Sequence, residues 1–348
     1  MTKICFLHLG FHKTATTSIQ LTCRNNSTLL EKNGVETPNF LNERNRISAN
    51  HTGQLRDIFS PSNKNLYNKV KHNQCKPDQG NSLESYIYEF QRLLNSTDHI
   101  FLSGEGIPLF PKVSLIRMVD EIEAQGFKIH PFALVRTPYA YLNSALQQTI
   151  KGGKHHPFIG LSESTFQSME HNDASSKLPS TVPAITRLLN IFGDSIHFYP
   201  FKIATSYPGG PVSFVLRTVL NQNNINEFKL ATANQSLSNL TTRVKNMLNK
   251  EMKHTDSGAL KKLIYELDLS KNPEKFLLTR YEFESVEESF KEIQAGTEQL
   301  LGAQFIEEKI QFSDSRSLNE INQQLVDLTR NLYRLAATRP IKKNKEKD

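Results

Sequence analysis

The sequence predicts an α/β protein built on a parallel sheet with flanking helices, and three observations carry that prediction. Four short apolar runs, at 4–9, 99–102, 127–135 and 196–199, read as strands, and their nearly continuous apolar character is that of strands covered on both faces. Between them lie segments with apolar residues at helical spacing, the pattern of crossover connections. The first run, with Ile4, Phe6, Leu7 and Leu9, stops at Gly10 and enters a hydroxyl-rich turn around one lysine, which then opens a helix.

The elements follow in order. Residues 16–33 read as a helix closed by Gly34, and Val35 to Phe40 as a short strand. From 41 to 81 the chain turns to Asn, Ser, Lys and Pro with little periodicity, a loop insertion of the length that forms lids or substrate loops. Leu83, Tyr86, Ile87, Phe90, Leu93 and Leu94 mark a helix over 82–94, and His99 to Leu102 a strand that runs into Ser103-Gly104-Glu105. A helix over 113–124 is stopped by Gly126, and the strand 127–135 ends at Arg136. Thr137 and Pro138 then supply an N-cap and a first helical residue for a helix from Tyr139 to about Lys151. A second loop insertion, 152–180, holds Lys154, His155 and His156. Helices are expected at 181–192, 211–220 and 238–252, and the strand 196–199 is broken by Pro200.

The C-terminal part reads as helical. Phe283, Val286, Phe290, Ile293 and Leu300 share one face, and Leu318, Ile321, Leu325, Leu328, Leu332 and Leu335 form a seam that fits a helix docked on its own domain or joining two copies of the chain. The expectation is one domain over 1–338, with insertions at 41–81 and 152–180, and a disordered basic tail at 339–348.

Composition narrows the function. The net charge of +7 suits polyanionic ligands, but Lys342, Lys343, Lys345 and Lys347 crowd the last residues and no aromatic-interleaved basic motif accompanies them, so nucleic acid is not the expected partner. Cys5, Cys23 and Cys75 are odd in number and lack metal-like spacing, which points to a reducing compartment. No apolar stretch has the length of a signal peptide or a membrane span, so a cytoplasmic protein is expected. His8, His12, His155 and His156 have no partners at ligand spacing, and no metal site is predicted.

The candidate site is assembled from strand ends. A strand, a tight turn and a helix N-terminus bring backbone N–H groups and the positive end of the helix dipole to one place, an anion site. Arg136 at the end of its strand offers a bidentate fork to a second anion, and Ser144, eight residues on, a hydroxyl. Glu105 follows its own strand where sites form in open α/β sheets.

The first turn is not the generic G-x-x-x-x-G-K-[ST] loop, because Lys13 follows Gly10 by three and the hydroxyls come after the lysine. Lys13-Thr14-Ala15-Thr16-Thr17 instead resembles the K-[ST]-G-T-[TS] loop of the sulfotransferases, and the flanking Gly10-Phe11-His12 and Ser18-Ile19-Gln20 resemble bacterial members of that superfamily. The Arg136 to Ser144 spacing, with Pro138 two after the arginine, is similar to that family's 3′-phosphate segment. The resemblance covers about the first 200 residues. It implies a P-loop NTPase-like fold and transfer of a sulfuryl group from 3′-phosphoadenosine 5′-phosphosulfate (PAPS) to a hydroxyl, without a metal.

Residue by residue, the resemblance puts the 5′-phosphate on His12, Lys13, Thr14, Ala15, Thr16, Thr17 and Ser18, with Lys13 also steadying the leaving group. It puts the 3′-phosphate on Arg136 and Ser144, adenine beside Tyr199, and the catalytic base at Glu105. Three departures stand out: Ala15 replaces a glycine, Pro200 and Phe201 replace an acidic pair after Tyr199, and a late Arg-Lys-Gly triplet is missing. Two other readings fit parts of the sequence, a P-loop nucleotide kinase or NTPase using Mg²⁺ and a non-catalytic sulfotransferase-like binding protein. The polar, cation-bearing insertions favour a sugar or polysaccharide acceptor.

Overall fold

The computed structural model describes residues 2–72, 82–96, 98–160, 178–233, 236–251 and 274–313, together with 326, 329 and 330. The tail at 339–348, the apolar seam at 318–335 and most of the second insertion lie outside the described residues.

Five parallel strands form one sheet: β1 (Lys3–His8), β2 (Val35–Glu36), β3 (His99–Ser103), β4 (Phe127–Val135) and β5 (His197–Pro200), in the spatial order β2-β3-β1-β4-β5. The α/β class with a parallel sheet is therefore as the apolar runs imply. β2 is shorter than the reading Val35 to Phe40, which contains Pro38, a residue without an N–H for the ladder. β5 takes in Pro200, tolerated there because the strand lies at the sheet edge.

Helices cover both faces. On one side α1 (Thr16–Asn25) and α2 (Ser27–Lys32) place Ile19, Cys23 and Leu30 against Phe6, Phe101, Phe132 and Leu134. On the other, α5 (Leu83–Leu94) and α6 (Lys112–Ala124) place Phe90, Leu93, Leu115, Met118 and Ile122 against Cys5, Leu7, Leu9, Leu102 and Val135. Since β1 feeds a helix on one face and its neighbour β3 feeds a helix on the other, the crevice beyond their carboxyl ends is where a ligand fits an open α/β sheet.

The reading of 41–81 as a loop excursion is corrected by two helices, α3 (Thr52–Phe59) and α4 (Lys64–Lys71). Each has only a narrow apolar face, Leu55, Ile58 and Phe59 in the first and Tyr67 and Val70 in the second, all buried. A two-turn helix shows too few apolar positions for its period to stand out among Asn, Ser and Lys. The helix expected at 211–220 is split, with α-helical Gly210–Phe214 running into a π-helical turn over Val215–Val219.

The chain divides into two compact units. The first comprises 1–138, 180–234 and 293–307 and contains the whole sheet. The second comprises 139–179, 235–292 and 308–348. Its described part is helical, with α7 (Pro138–Lys151) and helices Asn239–Glu251 and Arg280–Glu284. It is held by an aromatic cluster of Tyr139, Phe283, Phe290 and Phe312 and by the buried pair Arg243–Glu282. Among the described residues no helix is long and apolar enough to cross a membrane.

Candidate functional site

Lys13, Glu105 and Arg136 come together in the first unit because three adjacent strands end side by side. β1 pairs with β3 on one side, His8 opposite Ser103, and with β4 on the other, His8 opposite Phe132. The chain beyond β1 keeps bonding β4: the Leu9 N–H donates to the Phe132 carbonyl at 2.9 Å, and the Leu134 N–H to the Gly10 carbonyl at 3.0 Å. Lys13 thus leaves the end of β1, Glu105 follows β3 by two residues and Arg136 follows β4 by one.

Gly10 is where the loop turns. Its φ is +89°, and a Cβ there would stand 3.2 Å from the Glu105 Cα, so both conformation and space demand glycine. Lys13 and Ala15 also take left-handed backbone, φ +68° and +60°. Alternation of this kind curls successive N–H groups inward and makes a concave anion cradle. Ala15 is the N-cap of α1, and no side chain caps that helix, so the dipole end is left to whatever the loop binds.

The hydroxyls are turned to the protein itself. Thr14 donates to the Phe11 carbonyl, Thr16 donates to Glu105 Oε2 at 2.7 Å, and Ser18 Oγ accepts from the Ala233 N–H at 3.0 Å. These hydroxyls are therefore already engaged, and the loop would offer an anion its backbone N–H groups and the Lys13 ammonium.

Ala15 carries a measurable strain. Left-handed backbone costs an L-residue with a Cβ about 1–2 kcal/mol relative to glycine. Ala15→Gly is expected to raise the stability of the first unit by about 1 kcal/mol after the extra unfolded-state entropy of glycine is subtracted. Urea unfolding followed by circular dichroism checks this, and a midpoint unchanged or lowered would contradict it.

The electrostatics tie the three charged groups together. Burial pulls the Lys13 ammonium below its ordinary value, with the Glu105 carboxylate opposing that shift and the Arg136 guanidinium adding to it. Glu105 is held below the usual carboxylate range, first by the hydrogen bond with His12, then by the one with Thr16 and the charges of His12 and Lys13, against the opposing effect of burial. Burial pushes the Arg136 guanidinium down to about 10, which leaves it cationic at neutral pH. Its Cζ lies 4.7 Å from the centre of the Phe201 ring. Among the described residues no carboxylate, carbonyl or hydroxyl bonds this guanidinium. A partly buried cation is costly unless an anion meets it.

Phe201 was not legible as a site residue from the sequence. Its place one residue beyond β5, in register with Arg136 one residue beyond β4, is the signal that would find it. Tyr199 lies on β5, half-buried, edge-on to Phe214 at 5.4 Å and stacked on His197. Ser144 lies two turns into α7 and belongs to the second unit.

A second layer supports the strand ends. Ser103 Oγ accepts from Gln20 Nε2 at 3.1 Å and lies 2.8 Å from His8 Nδ1, linking α1, β1 and β3. Burial lowers His8 to about 4, so it is neutral, and it stacks on Phe132 at 5.0 Å. The start of α3 fixes the end of β3: the His51 N–H donates to the Ser103 carbonyl at 2.8 Å, His51 Nδ1 accepts from the Ser103 N–H at 3.1 Å, and the Thr52 hydroxyl accepts from the Gly106 N–H at 3.1 Å. The 41–81 segment, read from composition as an excursion, thus holds the backbone that carries Glu105.

Among the described residues no group of three or more His, Cys, Asp or Glu could hold a metal ion. No family model, curated protein or solved structure matches the chain.

Proposed function

We propose that this protein is a PAPS-dependent sulfotransferase acting on a hydroxyl acceptor, with a sugar or polysaccharide as the expected class. The observation that carries the reading is Arg136, a partly buried guanidinium for which no acceptor stands among the described residues, within electrostatic reach of the lysine of a separate anion cradle. One cation at the end of β4 and one beyond β1 suit a ligand with two phosphates on one ribose, as in a 3′,5′-bisphosphorylated adenosine. The strand order β2-β3-β1-β4-β5, with the lysine loop on the central strand and the acid on its neighbour, agrees with this reading.

In this reading the Lys13 loop receives the 5′-phosphate through backbone N–H groups and steadies the bridging oxygen as it gains charge. Arg136 grips the 3′-phosphate, with its guanidinium over the Phe201 ring. Glu105 anchors removal of the acceptor's proton. Tyr199 has the role of flanking adenine. The protein's contribution is alignment and neutralisation of the departing charge, as in phosphoryl transfer.

Isothermal titration with 3′,5′-bisphosphoadenosine in the presence of EDTA tests this, and one-to-one binding is expected. Arg136→Ala is expected to weaken that binding by about 30- to 150-fold, the loss of one charge-assisted bidentate contact of about 2–3 kcal/mol. Binding of 5′-AMP, which lacks the 3′-phosphate, should change little in the same variant. Equal losses for both ligands would contradict the assignment of Arg136.

One observation favours a second reading. A carboxylate beyond β3 that accepts a loop threonine hydroxyl, as Glu105 does from Thr16, also fits the acid and hydroxyl that hold Mg²⁺ in P-loop kinases and NTPases. ATP binding that requires Mg²⁺, with no response to bisphosphoadenosine, would select that reading instead.

A further inference from the structure

We propose that the acceptor's proton is taken by His12, with Glu105 behind it as the residue that orients the imidazole. The inference rests on the sulfotransferase reading and deepens it, because the sequence assigns the base to Glu105 alone and His12 to the nucleotide.

His12 Nδ1 lies 3.3 Å from Glu105 Oε2, the same oxygen that accepts the Thr16 hydroxyl at 2.7 Å. That oxygen therefore faces two polar partners and is tied to the loop rather than turned outward. Beside an ionised carboxylate, Nδ1 is favoured as the nitrogen carrying the ring hydrogen, which leaves the Nε2 lone pair on the other edge of the ring. The His12 side chain is 50% exposed against 26% for Glu105, so the imidazole is the member of the pair that an incoming acceptor meets first. A histidine held in one tautomer by a neighbouring carboxylate is an arrangement that makes an effective general base. The depressed titration of Glu105 agrees with this division, since a carboxylate held low is itself a weak proton acceptor. The charged groups around the pair are Glu105 beyond β3 and Lys13 on the same loop, with Arg136 beyond β4 acting on Lys13.

The acceptor oxygen forms a bond to sulfur while its proton passes to His12 Nε2. The bond from sulfur to the 5′-phosphate oxygen breaks, and its electron pair stays on that oxygen, beside Lys13. The imidazolium, stabilised by Glu105, then returns its proton to solvent.

Two measurements on the full chain test this. Long-range ¹⁵N–¹H NMR of the bisphosphoadenosine complex should show His12 with hydrogen on Nδ1 in the wild-type protein and a shift toward the Nε2 tautomer in Glu105→Gln. With PAPS as donor and soluble hexosamine oligosaccharides as acceptor, His12→Ala should lower kcat by about a hundredfold or more with the affinity for bisphosphoadenosine changed less than about threefold. The double variant His12→Ala, Glu105→Gln should fall no more than about tenfold below the lower single, as for residues acting as one unit. A wild-type protein that binds bisphosphoadenosine but carries hydrogen on His12 Nε2, or a His12→Ala variant that keeps its kcat, overturns the proposal and leaves the sulfotransferase reading standing. Failure of the wild-type protein to bind bisphosphoadenosine overturns that reading, and this proposal with it.

Discussion

Replacing Lys13 with alanine is expected to lower sulfuryl transfer by about a thousandfold, the largest effect of any single substitution in the chain. The size follows from where the charge sits. Lys13 is partly buried between an acid and a second cation, in surroundings that strengthen its interaction with a developing oxyanion. Loss of one oxyanion donor in a site of that kind costs about 10²–10³ in rate, and an ammonium facing the bridging oxygen lies at the upper end. The left-handed backbone at residue 13 is not made worse by alanine, since lysine already carries a Cβ there, so the loop should keep its shape. Single-turnover measurement with PAPS separates the chemical step from binding. A variant that keeps more than about a tenth of the wild-type rate would remove Lys13 from the transition state.

Glu105→Gln is the second large effect, expected at about 10²–10³ in kcat with bisphosphoadenosine affinity retained. Glutamine keeps the shape and can still accept the Thr16 hydroxyl, so β3 and the loop remain joined. What it loses is the negative charge that faces His12 and Lys13. A structural role alone would appear as a lower unfolding midpoint with kcat intact. The expected pattern is the reverse, an unchanged midpoint and a lost kcat. Weakened bisphosphoadenosine binding with unaltered kcat would instead place Glu105 in the nucleotide site.

The strands of the fold were legible because parallel strands covered on both faces must be apolar almost throughout, and β1, β3 and β4 are. Their helices were legible where the apolar stripe runs three turns, as in α5, and illegible where it runs two, as in α3 and α4. That failure hid the support for Glu105, since His51 and Thr52, which fix the end of β3, sit at the start of α3. That Lys13, Glu105 and Arg136 stand near one another follows from their positions just past the ends of β1, β3 and β4, which the apolar runs mark. The sequence could not say which way the loop hydroxyls turn, because Thr14, Thr16 and Ser18 choose between a ligand and the protein only once Phe11, Glu105 and Ala233 are in place. Nor could it decide the sign of φ at Ala15, on which the strain there depends.

A crystal structure of the protein with 3′,5′-bisphosphoadenosine decides whether Lys13 and Arg136 hold the two phosphates of one nucleotide. The expected result has the 5′-phosphate seated in the turn between Gly10 and Ser18, in contact with Lys13, and the 3′-phosphate held by the Arg136 guanidinium against Phe201. A nucleotide bound elsewhere, or an Arg136 side chain that leaves the 3′-phosphate to other residues, would contradict it.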